Sequence, residues 1–391
     1  MTARGRVVLF YDVPDWAFHN VARNVARQMR DWNVELLGRD DWFGRAQVVE
    51  RVALEADILV FLWRFDLLAF LDCLGPRAWR RFTGPGRPAL VSVVYDHIYA
   101  DAAALAELGN PFALSDVVAA SSERLKALYT AAPDLPDIAL TLPDGVDTAL
   151  FSPSATAPEG QPIRIGWVGN SQWAGTLQPD LKGRHRVFGP AIAQLRAAGH
   201  DVEACVADAA ERRLPRAEMP GFYRGLDLMM CTSAMEGTPN PVLEAMATGT
   251  PVISTDVGIV PEVFGPKQRA FILKERTPEA FAKAADRLIG DPALRAALRA
   301  ENLARRDRLD WAGRAALWEA LFETALAARG AQRGQDTGAA LAAHRSRARS
   351  ALQHARRLVA TNAVAYRTYS HLLRRYPGLI RNTRRLLAKG A

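Results

Sequence analysis

Two glutamates eight positions apart, Glu236 and Glu244, carry the clearest chemistry in this chain of 391 residues. They bound the segment Glu236-Gly-Thr-Pro-Asn-Pro-Val-Leu-Glu244. Asn240 is a good helix N-cap and Pro241 suits the first helical position, so a helix is predicted to begin here. The free N–H groups at the start of a helix bind anions. A carboxylate on each side of such an anion site suits a ligand with both phosphate and hydroxyl groups, such as a sugar nucleotide.

Turn and strand signals place the elements around the two glutamates. Residues 242–247 are predicted as helix, Gly249 as its end, and residues 251–254 as a strand. Glu236 would then lie in the loop before the helix, and Glu244 about one turn inside it. Strands and helices alternate along most of the chain, which predicts parallel sheets covered on both faces, with ligands bound at the carboxyl ends of the strands.

The segment between the glutamates resembles the Glu-x7-Glu signature of retaining glycosyltransferases with the GT-B fold, the fourth glycosyltransferase family (glycosyl transferases group 1) in particular. Residues 221–233 and 255–262 resemble the segments on either side of this signature. Residues 142–153 resemble the interdomain signature, with Asp144 where asparagine is usual. The resemblance spans roughly residues 85–325. It implies an α/β fold with two Rossmann-like doubly wound domains that face each other across a cleft.

The resemblance also implies a role for each glutamate, with an ordinary structural glutamate as the alternative in both cases. Glu244 is expected to accept hydrogen bonds from the ribose hydroxyls of the donor. Glu236 is expected to contact the donor sugar near its reacting carbon, where a carboxylate would stabilise positive charge in the transition state. The loop departs from the common Phe-Gly-Leu form, because Thr238 and Asn240 bring polar side chains and Pro239 removes an N–H donor.

A cationic pocket for the diphosphate is expected beside the first strand of the second domain. The resemblance puts Gly169 and Asn170 at the turn after that strand, with Asn170 where an arginine is usual. Lys182 is the predicted phosphate ligand, and Arg184 and Arg186 are candidates for the missing cation, with an exposed basic turn as the alternative for both. No cluster of His, Cys, Asp or Glu has metal-ligand spacing. Neither a metal ion nor a cofactor is therefore expected, and the nucleotide sugar is a substrate.

The first domain offers candidate residues that match the family less closely. Tyr95 stands where a histidine is usual, so His97 is the candidate site histidine, with a polar loop residue as the alternative. Trp16 and His19 are candidate acceptor contacts, because aromatic faces stack on sugar rings. Ordinary packing and capping at a helix start are the alternative for these two residues.

The chain divides into five predicted parts. They are an acceptor-binding domain at residues 1–153, a Pro- and Gly-rich linker at 154–162, a nucleotide-sugar domain at 163–312, a helix returning to the first domain at 313–330, and a basic amphipathic extension at 331–391. Between residues 207 and 227 the second domain lacks about one strand–helix unit of the family's pattern, which leaves recognition of the base open.

Positive charge is concentrated at the C-terminal end. The net charge of the chain is +8, and residues 337–391 hold twelve Arg or Lys but no Asp or Glu. Apolar residues recur on one side of this stretch, so residues 345–389 are predicted to form a cationic amphipathic helix on an anionic membrane surface. Packing on the protein body or on a partner is the alternative. No nucleic-acid-reading module accompanies the charge, which argues against a nucleic-acid partner.

These features together predict a function and a location. The sequence has no secretory signal and no apolar run of membrane-spanning length, so a cytoplasmic location is expected, peripheral on the inner face of the membrane. The predicted function is transfer of a sugar from a nucleotide-sugar donor to a hydroxyl of a surface polysaccharide or glycolipid, with retention at the anomeric carbon. Two alternatives remain open. One is another GT-B enzyme, such as a sugar-nucleotide epimerase or a phosphorylase, and the other is a degenerate glycosyltransferase-like scaffold.

Overall fold

Two parallel β-sheets flanked by helices form the described part of the chain. The structure is a computed structural model that describes residues 3–98, 100–101, 103–105, 109–133, 135–154, 162–173 and 180–347. Within these ranges, no helix is both long enough and apolar enough to cross a membrane.

The first sheet lies in the N-terminal part of the chain. Its strands are β1 (Arg6–Tyr11), β2 (Asn33–Gly38), β3 (Ile58–Phe61), β4 (Ala89–Val94), β5 (Val117–Ala120) and β6 (Leu140–Thr141). The helices between them include α1 (Ala17–Gln28), α2 (Arg39–Trp42), α3 (Ala46–Glu55), α4 (Asp66–Asp72), α5 (Pro76–Phe82) and α6 (Glu123–Thr130). The strand order is β2-β1-β3-β4-β5-β6, and neighbouring strands are parallel. β3 and β4 are buried at every position, as strands covered on both faces require.

The second sheet has five strands in the described residues. They are β7 (Ile163–Gly169), β8 (Val202–Asp208), β9 (Leu228–Cys231), β10 (Val252–Thr255) and β11 (Ile272–Leu273). The helices are α7 (Gly189–Ala197), α8 (Met219–Arg224), α9 (Asn240–Thr248), α10 (Val260–Val263), α11 (Pro278–Gly290) and α12 (Pro292–Ala304). The order is β11-β10-β9-β7-β8, again with parallel neighbours. The predicted fold class, two doubly wound α/β domains, is confirmed.

The connection between β8 and β9 is short. β9 pairs with β7 rather than with β8, so β8 is an edge strand of the described sheet. The connection contains the short helix α8 but no further strand, as the sequence predicts for this part of the second domain. Its loop, residues 209–218, contributes side chains to the cleft between the domains instead.

The chain then returns to the first sheet through helix α13 (Ala315–Gly330). Trp318, Leu321 and Phe322 are buried in the same core as β1 and β3. The sequence predicts this helix over residues 313–330, but residues Trp311–Arg314 form a 3₁₀ turn, so the α-helix starts at Ala315. Asp310 caps that turn by accepting the Ala312 N–H at 2.8 Å, which delays the start of the α-helix.

The last described helix, α14 (Gln332–Arg347), packs on the first domain. Leu341 is fully buried in its core, and Thr337 Oγ1 donates to the Ser115 carbonyl at 3.3 Å. The Arg345 guanidinium lies 5.9 Å from the Trp79 ring centre. This part of the predicted extension therefore belongs to the first domain, as the packing alternative expects. Residues 348–391, which hold most of the predicted membrane-binding segment, lie outside the described residues.

The two domains touch beside the cleft through the loop that carries Glu236. Thr238 Oγ1 donates to the Ser121 carbonyl of the first domain at 3.3 Å. A Cβ atom added at Gly237 would lie 2.3 Å from the Tyr95 carbonyl oxygen. Only glycine permits so close an approach of two backbones, so this residue type sets the distance between the domains at this point.

Candidate active site

The two glutamates lie on consecutive pieces of the second domain. Glu236 is in the loop after β9, and Glu244 is in α9. Asn240 is the first residue of this helix rather than its predicted N-cap, and no side chain among the described residues caps it. The helix begins one residue early because the Val242 N–H donates to the Pro239 carbonyl at 2.8 Å. Its end at Gly249, where φ is 87°, is as predicted.

Glu236 is paired with a lysine in the middle of the cleft. Lys182 Nζ donates to Glu236 Oε1 at 2.5 Å, and Ser233 Oγ donates to the same oxygen at 2.7 Å. The exposed fractions of the two charged side chains are 17% for Lys182 and 14% for Glu236. The Lys182 ammonium also lies 4.8 Å from the centre of the Trp173 ring. A cation and a carboxylate are therefore held in direct contact and partly shielded from solvent.

The loop that carries Lys182 is fixed to the end of β9. Thr232 Oγ1 donates to the Lys182 carbonyl at 2.7 Å, and Arg276 Nη2 donates to the Asp180 carbonyl at 2.8 Å. Gly183 has a φ of 78°, and a Cβ atom there would lie 2.3 Å from the Thr232 carbonyl oxygen. Glycine is needed on both counts. These hydrogen bonds therefore hold the backbone of Lys182 in position.

Glu244 is oriented by two neighbours from the short β8–β9 connection. Tyr223 donates its hydroxyl to Glu244 Oε2 at 2.8 Å, and Arg216 Nη1 donates to Oε1 at 3.1 Å. Burial raises the pKa of Glu244, and the Arg216 charge opposes that rise. Each carboxylate oxygen has a second lone pair for a ligand hydroxyl. Glu244 is thus a fixed acceptor at the edge of the cleft.

Three adjoining cavities lined by described residues lie along the cleft, with volumes of about 370, 300 and 140 Å³. Ala17, Lys182 and Asn240 line all three. Glu236 lines the first and the third, whereas Glu244 lines the second. The two glutamates therefore face different ends of one cleft, with Lys182 between them.

The start of α9 offers fewer backbone donors than a typical helix start. Pro239 and Pro241 have no N–H, so Asn240 is the only backbone donor of these three residues. Thr238 lines the first and third cavities, but its hydroxyl donates to the Ser121 carbonyl. An anion bound here would depend mainly on side-chain cations.

The first domain contributes aromatic rings and carboxylates to the first cavity. Trp16, a predicted acceptor contact, lines it together with Trp63, Asp12 and Asp96. Asp96 is buried and accepts from Arg64 Nη2 at 3.0 Å. Burial raises the pKa of Asp12. Aromatic faces stack on sugar rings and carboxylates accept from hydroxyl groups, so this wall suits a polyhydroxylated ligand.

Tyr95 and Asp144, which stand in place of a usual histidine and a usual asparagine, form a hydrogen bond with each other. Tyr95 donates its hydroxyl to Asp144 Oδ1 at 3.0 Å, and both residues line the first cavity. Burial raises the pKa of Asp144 to about 7, although the Tyr95 hydrogen bond and the Arg314 charge oppose the rise. Burial also raises the pKa of Tyr95 well above its usual value. Asp144 is therefore a carboxyl group that changes charge near neutral pH.

We expect Asp144→Asn to change how stability depends on pH. The folded-state pKa of about 7 lies above the value of about 3.9 for an unfolded aspartate, so the stabilisation from this proton is complete below about pH 4 and is lost as pH rises through about 7. The wild type should therefore lose stability over this range, whereas the asparagine variant should not. As pH rises from about 5 to about 8, the free energy of unfolding of the variant minus that of the wild type should increase by on the order of 2 kcal/mol. Urea unfolding at a series of pH values measures the difference.

The control for this prediction is Asp137→Asn, which neutralises an exposed aspartate of the same domain. Its stability profile should run parallel to that of the wild type. A parallel profile for Asp144→Asn as well would show that Asp144 does not titrate near neutral pH.

The predicted phosphate residues do not all reach the cleft. Gly169 and Asn170 line the second cavity beside Lys182. Arg184 forms ion pairs with Asp208 and, at 2.7 Å, with Glu211, and it lines none of the three cavities. The turn that begins at residue 184 directs this side chain toward β8, where the two carboxylates hold it.

His97 is not brought together with Glu236. Its side chain is exposed and lines none of the three cavities. Tyr95 and Asp96 line the first cavity instead, directly after β4. The Arg64–Asp96 pair and the Ile98 N–H, which donates to Asp96 Oδ1 at 3.0 Å, hold this loop in the conformation that leaves His97 outside.

Several residues of the cleft have no motif that singles them out in the sequence. They are Trp63, Trp173, Arg213 and Arg216. The only signal for the two arginines is that the short connection between β8 and β9 is rich in Arg and Pro. Among the described residues, no group of three or more His, Cys, Asp or Glu is arranged to hold a metal ion.

Comparison with known families supports the recognition of the Glu-x7-Glu segment. Residues 212–305 match the family described as glycosyl transferases group 1. A lipopolysaccharide core biosynthesis mannosyltransferase of Rhizobium meliloti (strain 1021) is 37% identical over 92 residues, 23% of this chain and 26% of the relative. A putative teichuronic acid biosynthesis glycosyltransferase of Bacillus subtilis (strain 168) is 34% identical over 99 residues, 25% of this chain and 23% of the relative. These matches span about a quarter of the length of each relative.

Comparison with solved structures supports the fold over most of the chain. A sucrose-phosphate synthase from Thermosynechococcus elongatus has a TM-score of 0.61 at 16% identity, covering 83% of this chain and 100% of that one. The Anabaena protein HepE in complex with UDP and glucose has a TM-score of 0.62 at 17% identity, covering 82% of this chain and 100% of that one. The architecture is that of the GT-B fold.

Proposed function

We propose that the chain is a glycosyltransferase, on the premise that its residues 212–305 match the family described as glycosyl transferases group 1. It moves a sugar from a nucleotide-sugar donor to a hydroxyl group of a saccharide or glycolipid, with retention at the anomeric carbon. The observation that carries the proposal is the order of groups along the cleft. A fixed hydroxyl acceptor, Glu244, lies at one end, a cation, Lys182, in the middle, and a second carboxylate, Glu236, beside it.

The donor in this proposal lies along the cleft from the second cavity to the first. Its ribose hydroxyls donate to Glu244, which Tyr223 and Arg216 hold in place. Its diphosphate binds Lys182, and its sugar lies in the first cavity beside Glu236. Charge-assisted hydrogen bonds of this kind contribute about 1.5–3 kcal/mol each. HepE, a structural neighbour, was solved with UDP and glucose, which is consistent with such a ligand.

Glu236 and Lys182 exchange partners during this reaction. A phosphate oxygen replaces Glu236 as the partner of Lys182, and Glu236 then faces the anomeric carbon. As the bond between that carbon and the phosphate oxygen breaks, the carboxylate stabilises the positive charge that develops on the sugar. The acceptor oxygen forms its bond on the same face, and its proton passes to the departing phosphate. Lys182 stabilises the charge of the leaving group, and the reaction requires no obligatory metal ion.

The acceptor in this proposal binds against the first domain. Trp16 and Trp63 offer faces for sugar rings, and Asp12 and Asp96 offer acceptors for hydroxyl groups. A surface polysaccharide or glycolipid acceptor is consistent with the names of the two relatives from Rhizobium meliloti and Bacillus subtilis. Association with an anionic membrane surface remains a prediction from the sequence, because residues 348–391 lie outside the described residues. The cytoplasmic location is likewise a prediction from the sequence.

We expect Glu244→Ala to weaken donor binding about 10- to 100-fold, since it removes the charged acceptor of the ribose hydroxyls. Isothermal titration with UDP-, GDP- and ADP-linked hexoses first identifies the donor and then measures this loss. Glu244→Gln, which can keep the bond from Tyr223, should lose less. The control is Glu275→Ala, at an exposed position of the same domain. An unchanged dissociation constant in Glu244→Ala would remove Glu244 from the donor site.

A further inference from the structure

We propose that Arg213 is the second cation of the diphosphate site, supplied from the short β8–β9 connection in place of the arginine that Asn170 replaces. The inference rests on the proposed function and names a further binding residue for it. The ligand group is the diphosphate of a nucleoside diphosphate, either free or as part of the donor.

The second cavity brings the relevant groups together. Arg213 lines it along with Lys182, Asn170 and Glu244. Asn170 lies at the turn after β7 and carries no charge, so this wall lacks the expected cation. Arg213 approaches the same cavity from the loop at residues 209–218.

The partners of the nearby cations distinguish Arg213 from the others. Lys182 is paired with Glu236 at 2.5 Å, and Arg216 is paired with Glu244 at 3.1 Å. Arg184 is paired with Asp208 and Glu211 away from the cavities.

Arg213 instead contacts neutral groups. It donates to the Pro14 carbonyl at 3.4 Å and to the Asp15 carbonyl, and its guanidinium lies 6.0 Å from the Trp16 ring centre. No carboxylate of the described residues lies within 4.0 Å of it. Asp15 directs its own carboxylate toward His19 and Arg23, at 3.5 and 3.6 Å. The positive charge of Arg213 is therefore not neutralised by a direct ion pair.

Carbonyl oxygens are weaker partners than phosphate oxygens for a guanidinium group. Bidentate pairing of arginine with phosphate is both stronger and more directional than a bond to a neutral acceptor. The backbone can supply little of this attraction, because Pro239 and Pro241 leave Asn240 as the only N–H donor at this point of α9. Arg213 and Lys182 together would give the diphosphate the two positive charges that it needs.

The test compares Arg213→Ala with Arg212→Ala in the full chain. Both arginines are exposed neighbours, but Arg212 lines none of the three cavities, so the pair matches the change in charge and differs in position. The dissociation constants of UDP, GDP and ADP are measured by titration calorimetry at about 50 mM and about 1 M salt, because screening separates ionic from other contributions. Melting temperatures of the variants show whether the fold is retained.

We expect Arg213→Ala to lose about 10- to 100-fold in affinity for the nucleoside diphosphate at low salt and much less at high salt. Arg212→Ala should change affinity less than threefold, and Arg213→Lys should recover part of the loss. Equal affinities in Arg213→Ala and Arg212→Ala would overturn the inference and leave the proposed function intact. A loss of the same size at both salt concentrations would also overturn it, because that result indicates a structural role beside residues 14–16. If the wild type binds none of the three diphosphates, the proposed function itself fails.

Discussion

Replacing Glu236 by glutamine should lower the turnover number about 10²- to 10³-fold while changing donor affinity only a few-fold. The substitution keeps the size of the side chain and an oxygen that can accept from Lys182 and Ser233, but it removes the negative charge. That charge would act on the positive charge that develops at the anomeric carbon, which exists only in the transition state. Steady-state kinetics with the donor that titration identifies, together with donor binding by calorimetry, separates the two quantities.

The matched control for this prediction is Glu275→Gln, which makes the same change at an exposed position of the second domain. It should retain the turnover number of the wild type. A turnover number in Glu236→Gln within threefold of the wild type would show that Glu236 is a structural partner of Lys182 and has no part in the chemistry.

Replacing Lys182 by methionine should lower the catalytic efficiency of transfer, kcat/KM, about 10²- to 10³-fold. The lysine lines all three cavities, and in the proposed reaction its removal would deprive the leaving diphosphate of its charge partner. It also leaves the carboxylate of Glu236 without the ammonium that now lies 2.5 Å away. Methionine keeps most of the length of the side chain, so the contact with Trp173 is retained better than in an alanine variant.

Three comparisons make the Lys182 prediction specific. Lys274→Met removes an exposed lysine of the same domain and should have little effect. The double variant Lys182→Met with Glu236→Gln should be slower than either single variant if the two residues act on different parts of the donor. A double variant no slower than Glu236→Gln alone would mean that Lys182 acts only by holding Glu236.

Treatment with a chelator should leave the rate unchanged, whereas loss of activity that Mg²⁺ or Mn²⁺ restores would refute a metal-independent site.

The elements that frame the cleft could be predicted from local patterns in the sequence. The short apolar runs in the sequence predict the buried parallel strands β1, β4, β7 and β10. Gly249 predicts the end of a helix, because glycine readily adopts the positive φ found there. Helix starts were predicted less accurately. The predicted cap at Asn240 and the predicted helix start at residue 313 were each displaced, because a hydrogen bond to a neighbouring residue decided the first turn in both places.

The sequence by itself determined the two-domain α/β plan, the match of residues 212–305 to glycosyl transferases group 1, and the positions of Glu236 and Glu244 on a loop and a helix. Each of these depends on residues close together in the chain, where periodicity, turn chemistry and motif spacing act. Only the tertiary structure decided which charged groups face the cleft. It pairs Lys182 with Glu236 across 54 positions of the chain, and it bonds Tyr95 to Asp144 across 49.

The same rule explains why Arg184 and His97 lie outside the cleft while Arg213 lines it. The direction of a long side chain depends on the nearest opposite charge or carbonyl group that folding brings to it. Arg184 meets Asp208, which is 24 positions away, and Arg213 meets the Pro14 carbonyl, which is 199 positions away. These partners depend on how the sheets and loops pack against each other. Patterns of neighbouring residues in the sequence do not predict contacts between segments so far apart in the chain. The sequence determines which chemical groups are present in the chain, and the tertiary structure determines which of them lie together in the cleft.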